Sequence, residues 1–489
     1  MELHQRIVSA PVDFGAVRTE FGLASDYPSE AVSEARDAVD AFAGTRVDRR
    51  EIALVTIDPP GSMDLDQALY LERTATGFLL YYAIADVAAV VTPDGPLARE
   101  SLARGQTYYL PDGTVPLHPH ELSEDRASLL PDQDRPAALW TIELDENAEP
   151  QRFEVTRALV RSRARLDYAG VQADADAGRL HPSIAALPDF GRLRIEAGLR
   201  RGAINLRLPA QSVIRDGEQT GLDHWQLVIE PRTAADDWNE QVSLLTGMCA
   251  ARIMLDCYGS EHVGLLRTMP PPAATAIESM RRTATAVGVS WPKPDTAGRM
   301  LAGLDPNTPA ALVLMSEATS LLRGASYTIL NGQPPETVQH SGIGAPYAHV
   351  TAPLRRLADR YATEICLAHC AGTPVPQWVR DGLTPVTDTM RRTDALANKL
   401  ERACIDLTES TILAPRVGTD FDATVLREAN GTRPAEIFVA DPPVLAKCTG
   451  GPPEGKRVQV QLAEADPATR TVTFAYPAPP ADSVPYSQP

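Results

Sequence analysis

The chain lacks several features that mark common protein classes. It has 6 cysteines in 489 residues and no CxxC pair, so a zinc ribbon and a CxxC redox site are excluded and buried free thiols are predicted. No apolar run reaches about 18 residues, the length that a membrane helix needs. The first residues, MELHQRIVSAPVDFG, lack a basic segment followed by an apolar stretch. These absences predict a cytoplasmic protein with no membrane partner.

Lysine is also scarce, so arginine supplies nearly all of the positive charge. The four lysines are Lys293, Lys399, Lys447 and Lys456. The formal net charge is −18 and the pI is near 5.0, so the field of the whole molecule repels a polyanion. Any nucleic-acid site must therefore be local. The length and the 44% hydrophobic content predict a large cored domain with one or more smaller ones.

The predicted secondary structure changes along the chain. Residues 1–50 are predicted to be partly helical, with a helix over SEAVSEARDAVDAFAG that Gly44 would end. From there to about residue 145, short apolar runs between Pro and Gly turns predict a mixed sheet. Residues 155–205 and 235–265 are predicted to be more helical, and 310–412 carries long helical patterns.

After Pro415, short alternating segments such as AEIFVA and RVQVQLAEA stand between turn-rich stretches. This pattern predicts a small β-barrel of the OB type over residues 415–476, with a β-sandwich as the alternative. The last residues, 477–489, are rich in proline and are predicted to form a disordered tail.

The stretch TIDPPGSMDLDQALYL, residues 56–71, concentrates three carboxylates between strand-like runs. Asp64 and Asp66 share one face of an extended segment, and Asp58 joins them if Pro59-Pro60-Gly61 folds back as a turn. Carboxylates gathered without a basic neighbour favour a divalent cation, and oxygen ligands select Mg²⁺ or Mn²⁺. The alternative is an acidic turn on a solvated surface.

A second pattern is YAHVTAPLRRLAD, which is predicted to begin a helix near Thr351 with Arg355 and Arg356 in its first turn. Cations are unfavourable at that end of a helix, so an anion such as a phosphate best explains them. In the alternative interpretation Arg355 pairs with Asp359 and Arg356 faces solvent.

A third pattern is TRALVRSRARLDY, where four arginines precede Tyr168 without an intervening acid. A basic strip with an aromatic at its end is typical of a channel for single-stranded nucleic acid. A solvated basic face is the alternative. The arginines of the strip are Arg157, Arg161, Arg163 and Arg165.

Together these patterns resemble the RNB family, the exoribonucleases of the ribonuclease II and ribonuclease R type. Four blocks match in order: TIDPPGSMDLDQAL, residues 108–139, RSRARLDY and YAHVTAPLRRLAD. The resemblance implies an α+β RNB catalytic domain over residues 51–412, a mixed sheet surrounded by helices with an RNA channel, followed by an S1-like OB barrel. It also implies a Mg²⁺-dependent hydrolase, with Mn²⁺ as the alternative ion, that degrades single-stranded RNA from its 3′ end to nucleoside 5′-monophosphates.

The resemblance also assigns roles to positions of this chain. The metal site would comprise Asp58, Asp64, Asp66 and Gln67. The catalytic set would be Asp66, Arg355, Arg356 and, from the motif KLERA, Glu401. RNA would be contacted by Tyr109, Tyr168, Arg161, Arg163 and Arg165, with Tyr109 setting the size of the final product. The sequence does not identify any protein partner, so protein partners stay unknown.

The chain departs from the family pattern in ways that keep other functions open. Gln67 stands where the family has a second consecutive aspartate, and Ala352 stands where it has serine. Residues 1–50 are too few for the family's two amino-terminal cold-shock barrels. The alternatives are a catalytically silent RNA-binding protein, which Gln67 would explain, and a phosphodiesterase for short oligonucleotides, which the missing barrels would explain.

Overall fold

A computed structural model of the chain describes residues 9–24, 26–206, 211–216, 224–229, 232–256, 263–306, 308–332 and 335–477. The predicted tail, apart from Pro477, lies outside these residues. No described helix combines the length and the apolarity needed to cross a lipid bilayer.

The described helices and strands are numbered in chain order. The helices are α1 Gly15–Glu20, α2 Ser29–Arg36, α3 Pro96–Arg104, α4 Tyr168–Asp176, α5 Leu187–Arg201, α6 Ala234–Asp256, α7 Ala274–Ala286, α8 Ala297–Ala302, α9 Pro309–Ala318, α10 Leu357–Ala371 and α11 Gln377–Leu413. The strands are β1 Ser9–Pro11, β2 Val47–Asp48, β3 Leu54–Ile57, β4 Gln67–Thr74, β5 Gly77–Ala85, β6 Tyr108–Leu110, β7 Gly113–Val115, β8 Asp134–Asp145, β9 Pro150–Leu166, β10 Gln211–Arg215, β11 His224–Ile229, β12 Val263–Thr268, β13 Ser326–Asn331, β14 Gln339–His340, β15 Ala345–Pro346, β16 Asp420–Arg427, β17 Ala435–Ala440, β18 Pro443–Thr449, β19 Arg457–Asp466 and β20 Thr471–Ala475.

A six-stranded mixed sheet forms the centre of the larger domain. Its order is β2-β9-β3-β4-β5-β8, and β8 also pairs with β9, so five of the strands close on themselves. β9 runs parallel to β2 and β3, while the remaining pairs are antiparallel. Buried side chains of the sheet such as Leu69, Tyr82 and Trp140 share one core with α6 and α10. The predicted mixed sheet with surrounding helices is confirmed.

Two local predictions were only partly correct. Residues 155–205 were expected to be more helical, and α4 and α5 agree with this from Tyr168 onward, but β9 is a 17-residue strand that ends at Leu166. Ala158, Val160 and Ser162 are buried, while the residues between them are more exposed. This alternation is the strand period, which the abundance of arginine and alanine obscured in the sequence. The predicted helix near the amino terminus is likewise shorter than expected, since α2 ends at Arg36.

The carboxy-terminal strands β16 to β20 form a closed barrel with the order β16-β17-β18-β20-β19. Its interior is filled by apolar residues, among them Phe421, Ile437 and Phe474. The same core includes Ile412 and Leu413, so the end of α11 packs against the barrel. The OB-type barrel is therefore confirmed over the sandwich, because a sandwich does not close.

Candidate active site

The acidic segment, residues 58–66, leaves the central sheet after β3 and returns to it at β4. A turn follows Asp58, in which Ser62 N donates to Pro59 O at 3.2 Å. Pro60 and Gly61 occupy the centre of this turn, and Gly61 has a φ of +85°. Proline followed by a residue with positive φ is the type II pattern, so the sequence PPG produces the predicted reversal.

The reversal brings Asp58 into the field of Asp64. Burial raises the pKa of Asp58 to about 6, and the charge of Asp64 adds to the rise. Burial also raises the pKa of Asp64. Oδ2 of Asp58 is buried and has no hydrogen-bond partner among the residues that the structure describes. A desolvated carboxylate oxygen beside a second carboxylate is a site that favours a cation.

Asp66 is directed toward the arginine turn, which we define as residues 351–356. Its side chain is buried, with 4% of the residue exposed. Oδ1 accepts a hydrogen bond from Leu354 N at 2.7 Å, and Oδ2 lies 3.7 Å from Nε of Arg355. Burial raises the pKa of Asp66 well above its ordinary value, although Arg355 and the bond from Leu354 oppose the shift. The arginine thus compensates a charge that the interior disfavours.

Gln67 occupies a different environment from the one predicted for a metal ligand. Its Oε1 accepts a hydrogen bond from the Tyr82 hydroxyl at 2.5 Å, with the Ser243 hydroxyl 3.5 Å away. Its Nε2 donates to Thr351 O at 2.7 Å. Both polar atoms of the Gln67 amide therefore already have hydrogen-bond partners within the protein. This geometry does not support the predicted role of Gln67 as a metal ligand.

The helix that was expected to start near Thr351 begins at Leu357, with Arg356 as its N-cap. The reason is that Ala352 N donates to Asp359 Oδ1 at 2.7 Å and Leu354 N donates to Asp66, so side chains hold these groups in a turn. The two arginines therefore precede the helix instead of standing in its first turn.

The two arginines have different surroundings. Arg356 forms a two-pronged pair with Asp359, with Nε–Oδ2 at 2.5 Å and the second bond at 2.9 Å. The side chain of Arg355 is 46% exposed, and among the described residues its terminal nitrogens have no acceptor. The alternative interpretation, with Arg355 bound to Asp359, was thus wrong. Arg355 is the guanidinium available to a ligand, whereas Arg356 holds the turn in place.

Further contacts anchor the arginine turn through its backbone. Thr107 N donates to Arg355 O at 3.0 Å, and Nε2 of His118 lies 3.3 Å from Pro353 O. Burial lowers the pKa of His118 to about 3, so the ring is neutral and can donate one proton to that carbonyl. Sequence reasoning missed His118. It lies in the matching block at 108–139, but nothing local identifies its partner.

Both predicted tyrosines lie near the acidic segment. Tyr109 is 54% exposed, and desolvation of its hydroxyl raises its pKa to about 12, with Arg355 opposing. The Tyr168 hydroxyl accepts a hydrogen bond from Asn239 at 3.3 Å, and burial, with a contribution from Asp58, raises its pKa. The structure therefore brings these rings, the carboxylates and Arg355 together.

The arginine strip does not form a continuous free basic surface. Arg157 contacts Asp86 and Glu364, each at 2.6 Å, and these acids are almost fully buried. Arg161 contacts Asp134 at 2.6 Å. Acidic residues that are distant in the sequence, one on β8, one just after β5 and one on α10, thus neutralise this half of the strip.

The other half of the strip approaches the acidic segment. Arg163 donates to Arg50 O at 2.5 Å, and Arg165 donates to Ser62 O at 2.9 Å. Arg165 also opposes the rise in the pKa of Asp58 that burial causes. Arg161 is four residues before Arg165 on β9, so at about 3.3 Å per residue it lies roughly 13 Å away from Arg165 along the strand. Arg165 is therefore the member of the strip placed beside the site.

Glu401 lies elsewhere. It is exposed on α11, and among the described residues no hydrogen bond or ion pair joins it to Asp58, Asp64 or Asp66. The geometry therefore gives no support to its predicted catalytic role.

The carboxylate oxygens of the acidic segment suit a hard cation that is also bound by oxygen atoms of the substrate. Within the described ranges, no group of three or more His, Cys, Asp or Glu side chains is arranged to hold a metal ion. Asp66 is engaged by the arginine turn, which leaves Asp58 and Asp64 as the pair. Mg²⁺ is commonly held by one or two carboxylates together with substrate phosphates. These two residues would therefore hold the ion.

The pKa of Asp58 gives a testable signature of such a site. We expect Asp58→Asn to raise the melting temperature above that of the wild type in EDTA at pH 7.5, but not at pH 5. The folded pKa of about 6 lies above the usual value of about 3.9. Folded protein therefore holds more protons between these values, and wild-type stability falls as pH rises through them. Scanning calorimetry at both pH values measures this.

Mg²⁺ should reverse the effect, because it binds the ionised carboxylate. The cation is expected to raise the melting temperature of the wild type at pH 7.5 and to have little effect on Asp58→Asn. A melting temperature for Asp58→Asn below that of the wild type at both pH values would contradict the assignment.

Two family models match this chain. The RNB domain model matches residues 46–370, and the model of the RNase II-type exonuclease C-terminal S1 domain matches residues 419–476. The second match coincides with the closed barrel, and the first contains the acidic segment and the arginine turn.

Individual proteins show the same relationship. Exosome complex exonuclease RRP44 homolog A of Arabidopsis thaliana is 29% identical over 407 residues, which cover 80% of this chain and 43% of that protein. The chain thus spans less than half the length of this relative. Mycoplasma genitalium RNase R, solved with ribose methylated single-stranded RNA, superposes with a TM-score of 0.84 at 19% identity, covering 95% of this chain and 77% of that one.

Another similar structure is that of a pseudonuclease. Yeast Ssd1, a pseudonuclease, superposes with a TM-score of 0.66 at 14% identity, covering 88% of this chain and 53% of that one. This likeness concerns the fold alone. Since the RNB model covers well over half of the sequence, the chain belongs to the RNB family.

Proposed function

We propose that this chain is a divalent-metal-dependent 3′-to-5′ exoribonuclease that hydrolyses single-stranded RNA to nucleoside 5′-monophosphates. The observation that carries the proposal is the pairing of the buried Asp66 with the half-exposed Arg355, 3.7 Å apart, beside Asp58 and Asp64. Carboxylates that can hold a cation beside a guanidinium that can hold a phosphate support this function.

The residues support distinct parts of phosphodiester hydrolysis. When bound, the cation would supply charge stabilisation at a phosphate oxygen and a more acidic water. Arg355 can hold the same phosphate through its terminal nitrogens and offset the charge that develops during cleavage. Asp66 keeps Arg355 in place, so the guanidinium is oriented before RNA arrives.

Tyr109 and Tyr168 supply aromatic faces near these groups, and stacking on such faces does not depend on base identity. Arg165 adds positive charge next to the carboxylates. A site of this kind within a chain of net charge −18 fits a strand that is threaded into the protein. A cytoplasmic location stays a prediction.

The decisive experiment is incubation of the purified protein with RNA labelled at its 5′ end, with Mg²⁺, with Mn²⁺ and with EDTA. We expect progressive shortening to a small labelled product, release of mononucleotides and loss of activity in EDTA. Intact RNA together with retention in a binding assay would instead support the silent RNA-binding protein. Faster cleavage of dinucleotides than of long RNA would support the phosphodiesterase for short oligonucleotides.

Tyr109→Ala tests the contact with RNA separately from the chemistry. Because the ring is half exposed, the melting temperature should stay within about 2 °C of the wild type. Loss of one stacked base should weaken RNA binding by about 1–3 kcal/mol, which is roughly 5- to 150-fold. Fluorescence anisotropy with labelled RNA in EDTA measures this, and unchanged affinity would remove Tyr109 from the binding site.

A further inference from the structure

Gln67 joins the acidic segment to the arginine turn through hydrogen bonds at both ends of its amide. The Tyr82 hydroxyl donates to Oε1, while Nε2 donates to Thr351 O at 2.7 Å. Tyr82 is fully buried within the central core, and Thr351 is 4% exposed. Gln67 therefore connects a rigid part of the sheet to the first residue of the turn that carries Arg355.

An aspartate at this position would not make the same connection. A carboxylate has no proton to donate to Thr351 O, so two acceptors would face each other unless a cation lay between them. It would also add a negative charge at the residue next to the buried Asp66. The amide satisfies the carbonyl without a charge and without an ion.

We propose that Gln67 is a positioning residue that fixes the arginine turn without a metal ion, and that it is not a metal ligand. Three independent contacts lead to this assignment: the donor at Nε2, the occupied Oε1, and the neighbouring contact of Asp66 with Leu354 N. In this chain the turn is held before the cation binds, and Asp58 and Asp64 remain to bind it.

The first test uses Gln67→Met, which keeps the length of the side chain and removes both hydrogen bonds. The melting temperature in EDTA should fall by about 2–4 °C, because Thr351 O is left without a donor. On the proposed exoribonuclease function, kcat should fall roughly 10- to 100-fold with KM for RNA nearly unchanged, since Arg355 is displaced from its working position. Tyr82→Phe should give a smaller change of the same kind.

The second test measures binding of Mn²⁺ alone by titration calorimetry, without RNA. Gln67→Met should bind Mn²⁺ within about threefold of the wild type, whereas Asp64→Asn should lose about tenfold or more. A loss for Gln67→Met equal to that for Asp64→Asn would overturn the proposal, because it would make Gln67 a ligand.

Gln67→Asp is expected to make the melting temperature more dependent on Mg²⁺. In EDTA it should melt below Gln67→Met, and Mg²⁺ should raise its melting temperature by more than that of the wild type. The turn would then depend on the ion. Equal Mg²⁺ shifts in Gln67→Asp and wild type would contradict the proposal.

The matched control is Gln211→Met. Gln211 also donates from its amide, to Glu409 at 2.6 Å and to Pro443 O at 2.7 Å, but at the junction with the barrel. Its melting temperature should fall while kcat stays unchanged; an equal fall of kcat in both variants would reduce the role of Gln67 to general stability. The calorimetric outcomes stand even if the wild type cleaves no RNA, so this proposal and the proposed function can fail separately.

Discussion

Asp66→Asn is expected to lower kcat for RNA hydrolysis by about 10³-fold while the Kd for RNA changes by less than about threefold. Asparagine can still accept a hydrogen bond from Leu354 N, so the arginine turn should persist. It removes the negative charge that faces Nε of Arg355, and a positive group oriented in advance at the scissile phosphate makes a large contribution to such catalysis. Single-turnover cleavage and fluorescence anisotropy measure the two quantities.

The control for this prediction is Asp174→Asn. Asp174 of α4 pairs with Arg179, which follows the helix, at the protein surface, and replacing Asp174 should leave both kcat and Kd unchanged. Full cleavage by Asp66→Asn would remove Asp66 from the catalytic set. A parallel loss of RNA binding would show that the carboxylate acts on the fold of the site.

Arg356→Ala is expected to lower the free energy of unfolding by about 3–5 kcal/mol, the largest effect on stability that we predict. Asp359 is fully buried, and its two oxygens accept bonds from Arg356 and from Ala352 N. Removing the guanidinium leaves a buried carboxylate without its counter-ion, which is the costly way to break such a pair. Urea denaturation followed by tryptophan fluorescence measures the change.

Arg355→Ala is the matched comparison, since it removes the same side chain one residue earlier. Because Arg355 is half exposed, the free energy of unfolding should change by less than about 1 kcal/mol. Activity should fall by about 10²–10³-fold, the usual cost of losing one group that stabilises developing charge. If the two variants had equal stability, the division of roles between these arginines would be wrong.

The acidic segment was predictable because its geometry is local. The turn at Pro60 and Gly61 depends on backbone preferences of those residues, and the spacing of Asp64 and Asp66 follows from an extended chain. The closed barrel was equally predictable from the sequence, because its short alternating strands and the turns between them all lie within about 60 residues.

The connection between Gln67 and Thr351 was not predictable, because these residues are 284 positions apart. A pattern shows that a glutamine stands where an aspartate is usual, but only the fold shows which atoms it meets. The same holds for Arg157. Its charge in the sequence suggested part of a binding surface, but in the folded chain it forms ion pairs with Asp86 and Glu364. Local composition indicates charge, whereas pairing depends on topology.

The arginine turn is held largely through atoms that every amino acid carries. Thr351 O, Ala352 N, Pro353 O, Leu354 N and Arg355 O are each engaged by another part of the chain. Main-chain anchoring fixes the path of the backbone without any hydrogen bond from the side chain at position 352, so the guanidinium of Arg355 keeps its place whether or not that side chain is polar. Alanine can therefore stand where the family has serine without loss of a backbone contact. Because Ala352 and Leu354 are buried, mutational scanning should find serine tolerated at position 352 and large or charged residues rejected at both positions.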